Sequence, residues 1–468
     1  MKFRLNKIQV DDDNYQTDQI ELVNYKNDKR PNHFSLIVGN NGTGKSRLLG
    51  SIARVLNGNF KSRHNEQFIF SQFETEGNPS KIISVSNSLS DKFPMDSSYR
   101  FRSENEFNYR EEKYNYLGTR GRMGASSRVL IRRAIDILLE NYANNNISKC
   151  YRHVFDYLDY EPVIKLEYTI IHRELTDSST QEIKPSHLID YINKKASYSG
   201  MNQSIFNNIE EKYSNKFLEI CNFLNSLRHQ ESRKYELEID FSSSKINRIN
   251  RNNKLYEEDL RIYEILNILR KLNMIRGFEV SISKKDNLPF NFSDASSGEA
   301  NILTTLIALI PLVEDNCCVL IDEPELSLHP SWQYRYIELL NKIFENFKGC
   351  HIIIASHSHF IVSDLPVENS SVITLKKDNQ KIQSNLLTES TFGWSAEDIL
   401  LNVFDMPTTR NYYVSNMVTE ALELIGENKK REKRFKELKE ELLILYPKLR
   451  DEDPLKLIIS SIFKMKSE

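Results

Sequence analysis

The chain has 468 residues, which is enough to bury a large core and to form one large domain with insertions or two to three smaller ones. Its 63 basic and 65 acidic side chains give a net charge of −2, which argues against a strong general attraction to nucleic acid. The mean hydropathy of −0.52 and the absence of a run of about 18 apolar residues exclude a protein embedded in the membrane. Residues 1–6 lack the apolar region of a signal peptide, so we expect a cytoplasmic protein with no membrane partner.

The first strands are predicted by the alternation of apolar and polar residues at positions 2–10 and 19–23. A continuous apolar run at residues 34–38 predicts a buried strand, and residues 47–56 have the spacing of a helix. The eight residues between this strand and this helix fit the phosphate-binding pattern G-x-x-x-x-G-K-[ST]. They are Gly39, Asn40, Asn41, Gly42, Thr43, Gly44, Lys45 and Ser46.

This loop has the residue types that bind a nucleoside triphosphate. Its glycines allow the backbone to curl so that successive N–H groups face the phosphates, and the start of the helix adds its positive dipole end. Lys45 would reach the β- and γ-phosphates, and the Ser46 hydroxyl would be one ligand of Mg²⁺. A Gly/Asn-rich turn before a helix is the alternative, but strand, loop, Lys-Ser pair and helix all coincide here. We therefore expect residues 40–46 to bind the nucleotide.

The middle of the chain differs in composition from its flanks. After two more expected strands at residues 67–73 and 81–86, polar and aromatic-rich segments with helical spacing prevail, and we assign residues 96–277 to an inserted, mostly helical lobe. Helices are expected there at residues 128–142 and 204–227, and strands at residues 163–172 and 235–241. Two stretches of the lobe are basic and could contact phosphate backbones, although a solvated loop is the simpler explanation of each. Their arginines are Arg120, Arg122, Arg128, Arg248 and Arg251.

Polar residues follow two apolar runs in the C-terminal part of the chain. Residues 317–321 end on Asp322 and Glu323, as a buried parallel strand does at a ligand crevice. Asp322 would hold Mg²⁺, directly or through water, and Glu323 would orient and polarise the attacking water. Residues 351–355 predict another strand, and His357 after it is placed to contact the γ-phosphate. A metal pair of His357 and His359 is the alternative, and it lacks carboxylates at matching spacing.

Residues 295–299 have the sequence Ala-Ser-Ser-Gly-Glu and precede an apolar-patterned helix at residues 300–312. Small residues at a helix start leave backbone N–H groups free to bind an anion, so we expect Ser296, Gly298 and Glu299 to contact the nucleotide. Helix capping by Ser296, with Glu299 three residues later, explains the same residues and is compatible with that role.

The end of the chain, residues 391–468, is expected to be a helical region that binds a protein partner. Helices are predicted at residues 395–404 and 417–441, and the second carries a mixed-charge run of the kind found on solvated helix faces. The nucleotide-binding domain then consists of the two flanks, residues 1–95 and 278–390.

This set of motifs resembles the ABC-type ATPases of the SMC, RecF and overcoming-lysogenization-defect group. Residues 39–46 match Walker A, residues 295–299 the signature, residues 321–323 Walker B, residues 328–330 the D-loop region and His357 the switch histidine. The resemblance implies an α/β fold, namely an ABC-type P-loop NTPase with a mixed sheet, an inserted mostly helical lobe and a C-terminal helical appendage. It also implies ATP and Mg²⁺ as ligands and an ATPase whose turnover can be slow.

Two features depart from the family pattern. The signature has Ala295 where Leu is usual and Ser297 where the first Gly is usual. No obvious Q-loop glutamine follows residues 81–86, and three residues stay open for that role. They are Gln72, Asn87 and Asp91.

Further stretches resemble the PtuA-type ATPase subunits of Septu and retron-linked antiphage defence systems. These stretches are residues 86–94, 116–120, 322–325, 328–330, 393–395 and 399–400. The resemblance implies a regulatory ATPase that pairs head to tail with a second copy on binding ATP, as a homodimer or higher even oligomer. Ser296 of one copy would then face Lys45 of the other. Because the chain carries no nuclease constellation, a separate HNH nuclease subunit of PtuB type would be held and gated, and retron-linked members would add a reverse transcriptase with its RNA–DNA hybrid.

Two other functions stay open. A RecF-like or SMC-like DNA-repair ATPase would clamp DNA directly, and it predicts a continuous basic groove that joins the five arginines of the middle lobe. The nucleotide-binding subunit of an ABC transporter is disfavoured by the long middle lobe and by the turn at residues 328–330.

Overall fold

The structure is a computed structural model that divides into two compact units, Met1–Gly393 and Trp394–Glu468. The residues that it describes are 2–12, 15–58, 70–94, 113–118, 127–140, 147–170, 181–198, 214–228, 234–249, 255–257, 261–272, 274–285, 288–326, 328–378, 381–406, 411–427, 433–449 and 453–464.

The strands in the described part of the chain form two sheets. They are β1 (Arg4–Asp12), β2 (Tyr15–Thr17), β3 (Ile20–Glu21), β4 (His33–Gly39), β5 (Phe70–Glu76), β6 (Ile82–Ser86), β7 (Tyr114–Gly118), β8 (Val163–Ile170), β9 (Lys234–Asp240), β10 (Lys245–Ile249), β11 (Leu255–Glu257), β12 (Ile275–Ile282), β13 (Phe290–Asn291), β14 (Cys318–Asp322), β15 (His351–Ala355), β16 (Ser370–Asp378) and β17 (Lys381–Leu386).

Helices accompany both sheets and make up most of the second unit. They are α1 (Lys45–Leu56), α2 (Ser127–Glu140), α3 (Ile147–Leu158), α4 (Pro185–Tyr198), α5 (Phe217–Arg228), α6 (Arg261–Lys271), α7 (Ser297–Leu309), α8 (Pro330–Tyr334), α9 (Tyr336–Phe344), α10 (His359–Ser363), α11 (Ala396–Asn402), α12 (Tyr412–Gly426), α13 (Lys433–Leu445) and α14 (Pro454–Lys464). None in the described part of the chain is long and apolar enough to cross a membrane.

Six neighbouring parallel strands form one side of the first sheet, in the order β16-β4-β15-β14-β6-β7. All residues of β4, β6, β14 and β15 are buried, which explains why apolar runs rather than alternation mark them in the sequence. Strands β1, β2, β3, β5 and β17 extend the sheet, mostly through antiparallel pairs. The expected α/β fold of P-loop NTPase type, with a mixed sheet, is confirmed.

Helices cover both faces of the parallel strands. Helix α1 buries Leu48 and Ile52 in a core that also contains Ile37 of β4. On the same strand the ring of Phe34 meets Phe344 of α9 edge-on, with centroids 6.5 Å apart. Because side chains alternate along a strand, residues 34 and 37 point to opposite faces, so α1 and α9 lie on opposite sides of the sheet.

A second, antiparallel sheet occupies much of the middle of the chain. Its order is β11-β10-β9-β8-β12-β13, and α2 and α6 pack against β12. Strands β8 and β9 were expected from their alternation, but the sheet that they join was not. The middle lobe therefore contains a six-stranded sheet in addition to its helices. The expected limits also shift, because β7 extends the first sheet past residue 95 and β13 extends the second sheet past residue 277.

The second unit is a small helical body. Its core contains Phe435, Leu438 and Leu442 of α13 packed with Ile459 and Ile462 of α14. One helix was predicted at residues 417–441, and this is wrong, since the structure has two helices there, α12 and α13, which pack against each other. Helix α12 ends at Gly426, and Glu427 is its C-cap residue.

Candidate functional site

Three chain segments leave the first sheet at the same edge and surround a cleft of about 700 Å³. Strands β4, β15 and β14 are parallel neighbours, so their carboxyl ends meet there. Strand β4 leads into the loop of residues 39–44, β14 leads into Glu323, and β15 is followed by His357. The residues that line the cleft include Asn41, Gly42, Gly44, Lys45, Ser46, Glu323 and His357.

The loop after β4 needs its glycines. Gly42 and Gly44 both have φ of 84°, in the left-handed region that other residues rarely adopt. At Gly44 a Cβ atom would also lie 2.2 Å from a ring carbon of Tyr15, so only glycine fits between that ring and the start of α1. The N–H and hydroxyl of Thr43 donate to the carbonyl oxygen of Asn40 and close the turn.

The ammonium group of Lys45 lies at the bottom of the cleft. It donates hydrogen bonds to the carbonyl oxygens of Gly39, at 2.8 Å, and Asn40, at 3.3 Å. Burial lowers the pKa of Lys45 to about 8, although the carboxylates of Glu323, Glu325 and Asp322 oppose this change. A buried cation whose hydrogen-bond acceptors are neutral is suited to neutralise an anion that enters the cleft.

The structure brings together Ser46 and Asp322, the two residues that the sequence analysis expected to hold Mg²⁺. The Ser46 hydroxyl donates to Oδ1 of Asp322 at 3.1 Å. The second carboxylate oxygen, Oδ2, is buried and has no hydrogen-bond partner within the described residues. Burial raises the pKa of Asp322, the hydrogen bond from Ser46 lowers it, and the nearby carboxylates of Glu323, Asp91 and Glu325 raise it, so that the pKa reaches about 7. A divalent cation would relieve this crowding of carboxylates.

This oxygen pair fits Mg²⁺. In the described part of the chain no group of three or more His, Cys, Asp or Glu side chains is placed to hold a metal ion. Mg²⁺ at a nucleotide site, however, takes only one or two protein oxygens and completes its shell with phosphate oxygens and water. A hydroxyl beside an unpartnered carboxylate oxygen meets that requirement.

Glu323 has a strained backbone at the exit of β14. Its φ is 49°, an uncommon value for a residue with a side chain, and its N–H donates to the carbonyl oxygen of Ala355 at 2.9 Å. Strain of this kind concentrates at functional sites, where it aims a side chain. Here the side chain points toward the end of β15, where its Oε1 lies 3.9 Å from Nε2 of His357.

His357 lies between the acid and the lysine. Its Nδ1 is 3.4 Å from the Lys45 ammonium, and since an ammonium can only donate, Nδ1 is the acceptor and the proton of the neutral ring lies on Nε2. Burial and then the charge of Lys45 lower the pKa of His357 to about 4, so the ring is neutral near pH 7. The alternative His357–His359 metal pair has no support here, because His359 packs against the ring of Phe360.

Glu325 is a site residue that the sequence analysis missed. One carboxylate oxygen accepts the backbone N–H of His357 at 2.5 Å, and the other accepts the Ser356 hydroxyl at 3.0 Å. It therefore ties the turn after β14 to the turn after β15. The only sign of this role in the sequence is that Glu325 lies two residues after Glu323. The sequence does not show which loop its carboxylate contacts.

The second expected anion nest lies elsewhere on the chain. Ser296, Gly298 and Glu299 form the start of α7, and none of them lines the cleft. The capping alternative is confirmed, since the Ser296 hydroxyl accepts the N–H of Glu299 and the Glu299 carboxylate accepts the N–H of Ser296.

Of the three Q-loop candidates, Asp91 is the one whose charge affects the pKa of Asp322. It is buried, it accepts the Tyr116 hydroxyl at 2.6 Å, and its charge contributes to the raised pKa of Asp322. Gln72 pairs with Gln9 of β1, and Asn87 accepts the hydroxyl of Thr305.

Direct clamping of DNA would need a basic groove that joins five arginines of the middle lobe. The structure describes the side chain of one of them, Arg248. The guanidinium of Arg248 lies over the ring of Tyr235, 5.0 Å from its centroid. Arg120, Arg122, Arg251 and the side chain of Arg128 lie outside the described residues.

Comparison with known proteins defines the class. The family model "AAA domain, putative AbiEii toxin, Type IV TA system" matches residues 34–363, and the chain belongs to this family. The chain is 22% identical over 452 residues to "Retron Vc95 probable ATPase" of Vibrio cholerae serotype O1 biovar El Tor. The matched region covers 86% of this chain and 81% of that protein. It is 28% identical over 131 residues to "Septu protein PtuA" of Bacillus thuringiensis, covering 28% and 32%. The resemblance to retron and Septu ATPases is thus confirmed.

The extent of these matches varies. Similarity to "Protein ea59" of Escherichia phage lambda is 25% identity over 198 residues, 38% of this chain, and the chain spans 37% of that protein's length. Among solved structures, an Smc head domain with an extended coiled coil from Pyrococcus furiosus has a TM-score of 0.30 at 10% identity, covering 82% of this chain and 96% of that one.

The bridge made by Glu325 gives a prediction that is independent of any activity. Glu325→Ala should lower the free energy of unfolding by about 1–3 kcal/mol, because it removes the acceptor of the partly buried His357 N–H. In hydrogen exchange, the peptide that contains His357 should exchange faster in this variant. Glu325→Gln, which keeps one acceptor oxygen, should retain most of the protection.

The matched control is Glu345→Ala, at an exposed acid after α9, which should change neither quantity. Unaltered exchange of the His357 peptide in Glu325→Ala would show that the two turns are held together by other contacts.

Proposed function

We propose that the chain binds ATP with Mg²⁺ in the cleft at the end of β4, β14 and β15 and hydrolyses it to ADP and phosphate. One observation carries the proposal: Lys45, the Ser46–Asp322 pair, Glu323 and His357 come from separate segments and converge on one cleft. Transfer of a phosphoryl group to water needs such a set, with a cation and a metal site for the phosphates and a carboxylate for the water.

Each residue has a distinct part in this proposal. Residues 40–46 would hold the phosphates through backbone N–H groups, and Lys45 would balance their charge. Ser46 and Asp322 would hold Mg²⁺, which supplies charge neutralisation to the phosphate oxygens when bound. Glu323 would accept a proton from the attacking water, while His357, with its proton on Nε2, can donate a hydrogen bond toward Glu323 or a γ-phosphate oxygen.

The start of α7 would complete the cleft of a second copy of the chain. Ser296, Gly298 and Glu299 lie outside the cleft of their own chain, and the first-turn N–H groups of a helix favour an anion. Charge-assisted hydrogen bonds are worth about 1.5–3 kcal/mol each, so a few such bonds to the γ-phosphate would favour the paired state until hydrolysis removes them. Head-to-tail pairing on ATP binding is therefore part of the proposal.

The proposed setting is an antiphage defence complex in which this ATPase holds and gates a separate HNH nuclease subunit. Similarity to the retron ATPase and to the Septu protein supports this setting. Residues 391–468 are the proposed partner-binding region. Several large apolar side chains are exposed there, among them Tyr412, Tyr413, Leu443, Ile444 and Leu457. In a retron setting, a reverse transcriptase with its RNA–DNA hybrid would be a further partner.

The first test removes the cation of the cleft. Lys45→Ala should weaken ATP binding at least about 100-fold, because it removes the charge-assisted contacts to the phosphates. Isothermal titration calorimetry with Mg²⁺ and ATP measures this. Lys342→Ala, at an exposed helix lysine, is the control and should bind ATP as the wild type does. Unchanged affinity of Lys45→Ala would contradict the assignment of the phosphate-binding loop.

The second test separates binding from hydrolysis. Glu323→Gln should lower kcat about 100-fold or more, because an amide cannot accept the proton of the water, while ATP affinity changes by less than about threefold. In sedimentation velocity this variant should form ATP-dependent dimers that persist. Turnover at the wild-type rate would assign activation of the water to another residue.

The third test addresses the partner. When the chain is co-expressed with the products of its neighbouring genes, a nuclease subunit should co-purify with it in a complex of defined native mass. Replacing the exposed Leu443 and Leu457 by Asp should reduce its retention about tenfold or more, because charges replace apolar contacts. Glu440→Ala with Glu441→Ala, at exposed acids of α13, is the control. Full retention of the nuclease by the Asp variant would place its binding site outside α13 and α14.

A further inference from the structure

Glu299, in the first turn of α7, places a negative charge at the helix end that would receive an anion. Glu299 is only 7% exposed. One carboxylate oxygen accepts the N–H of Ser296 at 3.1 Å and its hydroxyl at 2.7 Å. The carboxylate is therefore fixed beside Ser296, where it would repel a phosphate unless another group balances its charge.

Lys284, in the segment that follows β12, supplies the balancing charge. Its ammonium lies 2.8 Å from the other carboxylate oxygen of Glu299. Burial would raise the pKa of Glu299, but Lys284 and then the hydrogen bonds from Ser296 lower it below the ordinary value, so Glu299 is ionised and paired.

The position of Lys284 is set by the segment that follows β12. Lys284 forms an isolated antiparallel bridge with Tyr160, and its ammonium lies over the ring of Tyr160, 5.6 Å from the centroid. Backbone hydrogen bonds hold the residues before and after Lys284. The carbonyl oxygen of Ser283 accepts the N–H of Glu161, and the N–H of Lys285 donates to the carbonyl oxygen of Asp159. The ammonium thus meets Glu299 from a segment clamped on both sides.

We propose that Lys284 is a positioning residue that neutralises Glu299, so that the start of α7 can accept the terminal phosphate of a nucleotide held by a second copy of the chain. The inference rests on the proposed pairing of two chains and adds a residue of the middle lobe to it. It also gives the second sheet a part in the reaction, since any shift of the segment after β12 relative to α7 would uncover the charge of Glu299.

The competing explanation is that Lys284 and Glu299 form a purely structural ion pair. Removing the charge of each residue, singly and together, distinguishes this explanation from the proposed positioning role. If Lys284 acts by cancelling the carboxylate, then a neutral residue at position 299 makes the lysine dispensable. Glu299→Gln suits this test, because Gln at the third helical position still accepts from Ser296 and keeps the capping box. Lys284→Met suits it as well, because the apolar stem over the Tyr160 ring is largely retained.

The experiment uses the full chain with Mg²⁺ and ATP and measures three quantities: ATP affinity for the single chain, kcat, and the ATP-dependent dimer fraction. Lys284→Met should lower kcat and the dimerisation constant about tenfold or more, as expected for an unbalanced carboxylate, with ATP affinity within about twofold of wild type. Lys284→Arg should retain most of both. The double variant Lys284→Met/Glu299→Gln should recover to within about threefold of Glu299→Gln alone.

Lys285→Met is the matched control, because this neighbouring lysine pairs with the exposed Asp156 instead, and it should behave as the wild type. Wild-type behaviour of Lys284→Met would overturn the inference, and so would a double variant that is folded but as defective as Lys284→Met. If Lys45→Ala loses ATP binding while Lys284→Met keeps the wild-type kcat and dimer fraction, the inference about Lys284 is refuted and the proposed ATP site is not. Absence of ATP-dependent dimers of the wild type would overturn both the inference and the proposed pairing.

Discussion

The burial of one ammonium group among carbonyl oxygens and carboxylates is the constraint on which the cleft depends. Lys45 donates to Gly39 and Asn40, and the acids at the end of β14 keep its charge favourable although burial lowers its pKa. The curled backbone of residues 39–44 positions the ammonium group, and the end of β14 positions the acids. Neither part would be in position without the parallel order of β4, β15 and β14.

The two edges of the parallel sheet are built for different purposes. At the amino-terminal edge, the fully buried Arg4 forms hydrogen bonds with Asp28, and His351 accepts the N–H of Leu5 and contacts Ser35. Burial lowers the pKa of His351 far below its ordinary value, so this histidine is neutral and structural. At the carboxyl-terminal edge, Asp322 keeps an oxygen without a hydrogen-bond partner among the described residues. Such an unsatisfied group is tolerated where a ligand is to bind.

The sequence could predict the centre of the cleft because its chemistry is local to short motifs. The loop before α1, the acids after β14 and His357 after β15 are each marked by an apolar run that ends in polar residues. Glu325 and Lys284 could not be predicted, because their partners are 32 and 15 residues away and belong to other elements. The second sheet was missed in part for the same reason, since β8 pairs with β9 and β12 from distant stretches of the chain. The single helix expected at residues 417–441 shows the limit of charge patterns, which do not reveal a break at Gly426.

The proposed function depends on one central claim, namely that a triphosphate binds between two copies of the chain and contacts Lys45 of one and Ser296 of the other. A cryo-EM map of the Glu323→Gln variant with Mg²⁺ and ATP is the most direct test. We expect a head-to-tail dimer in which each γ-phosphate contacts Lys45 of one protomer and the start of α7 of its partner. A nucleotide bound in the cleft of a single chain, with Ser296 of every neighbouring copy far from it, would contradict the claim.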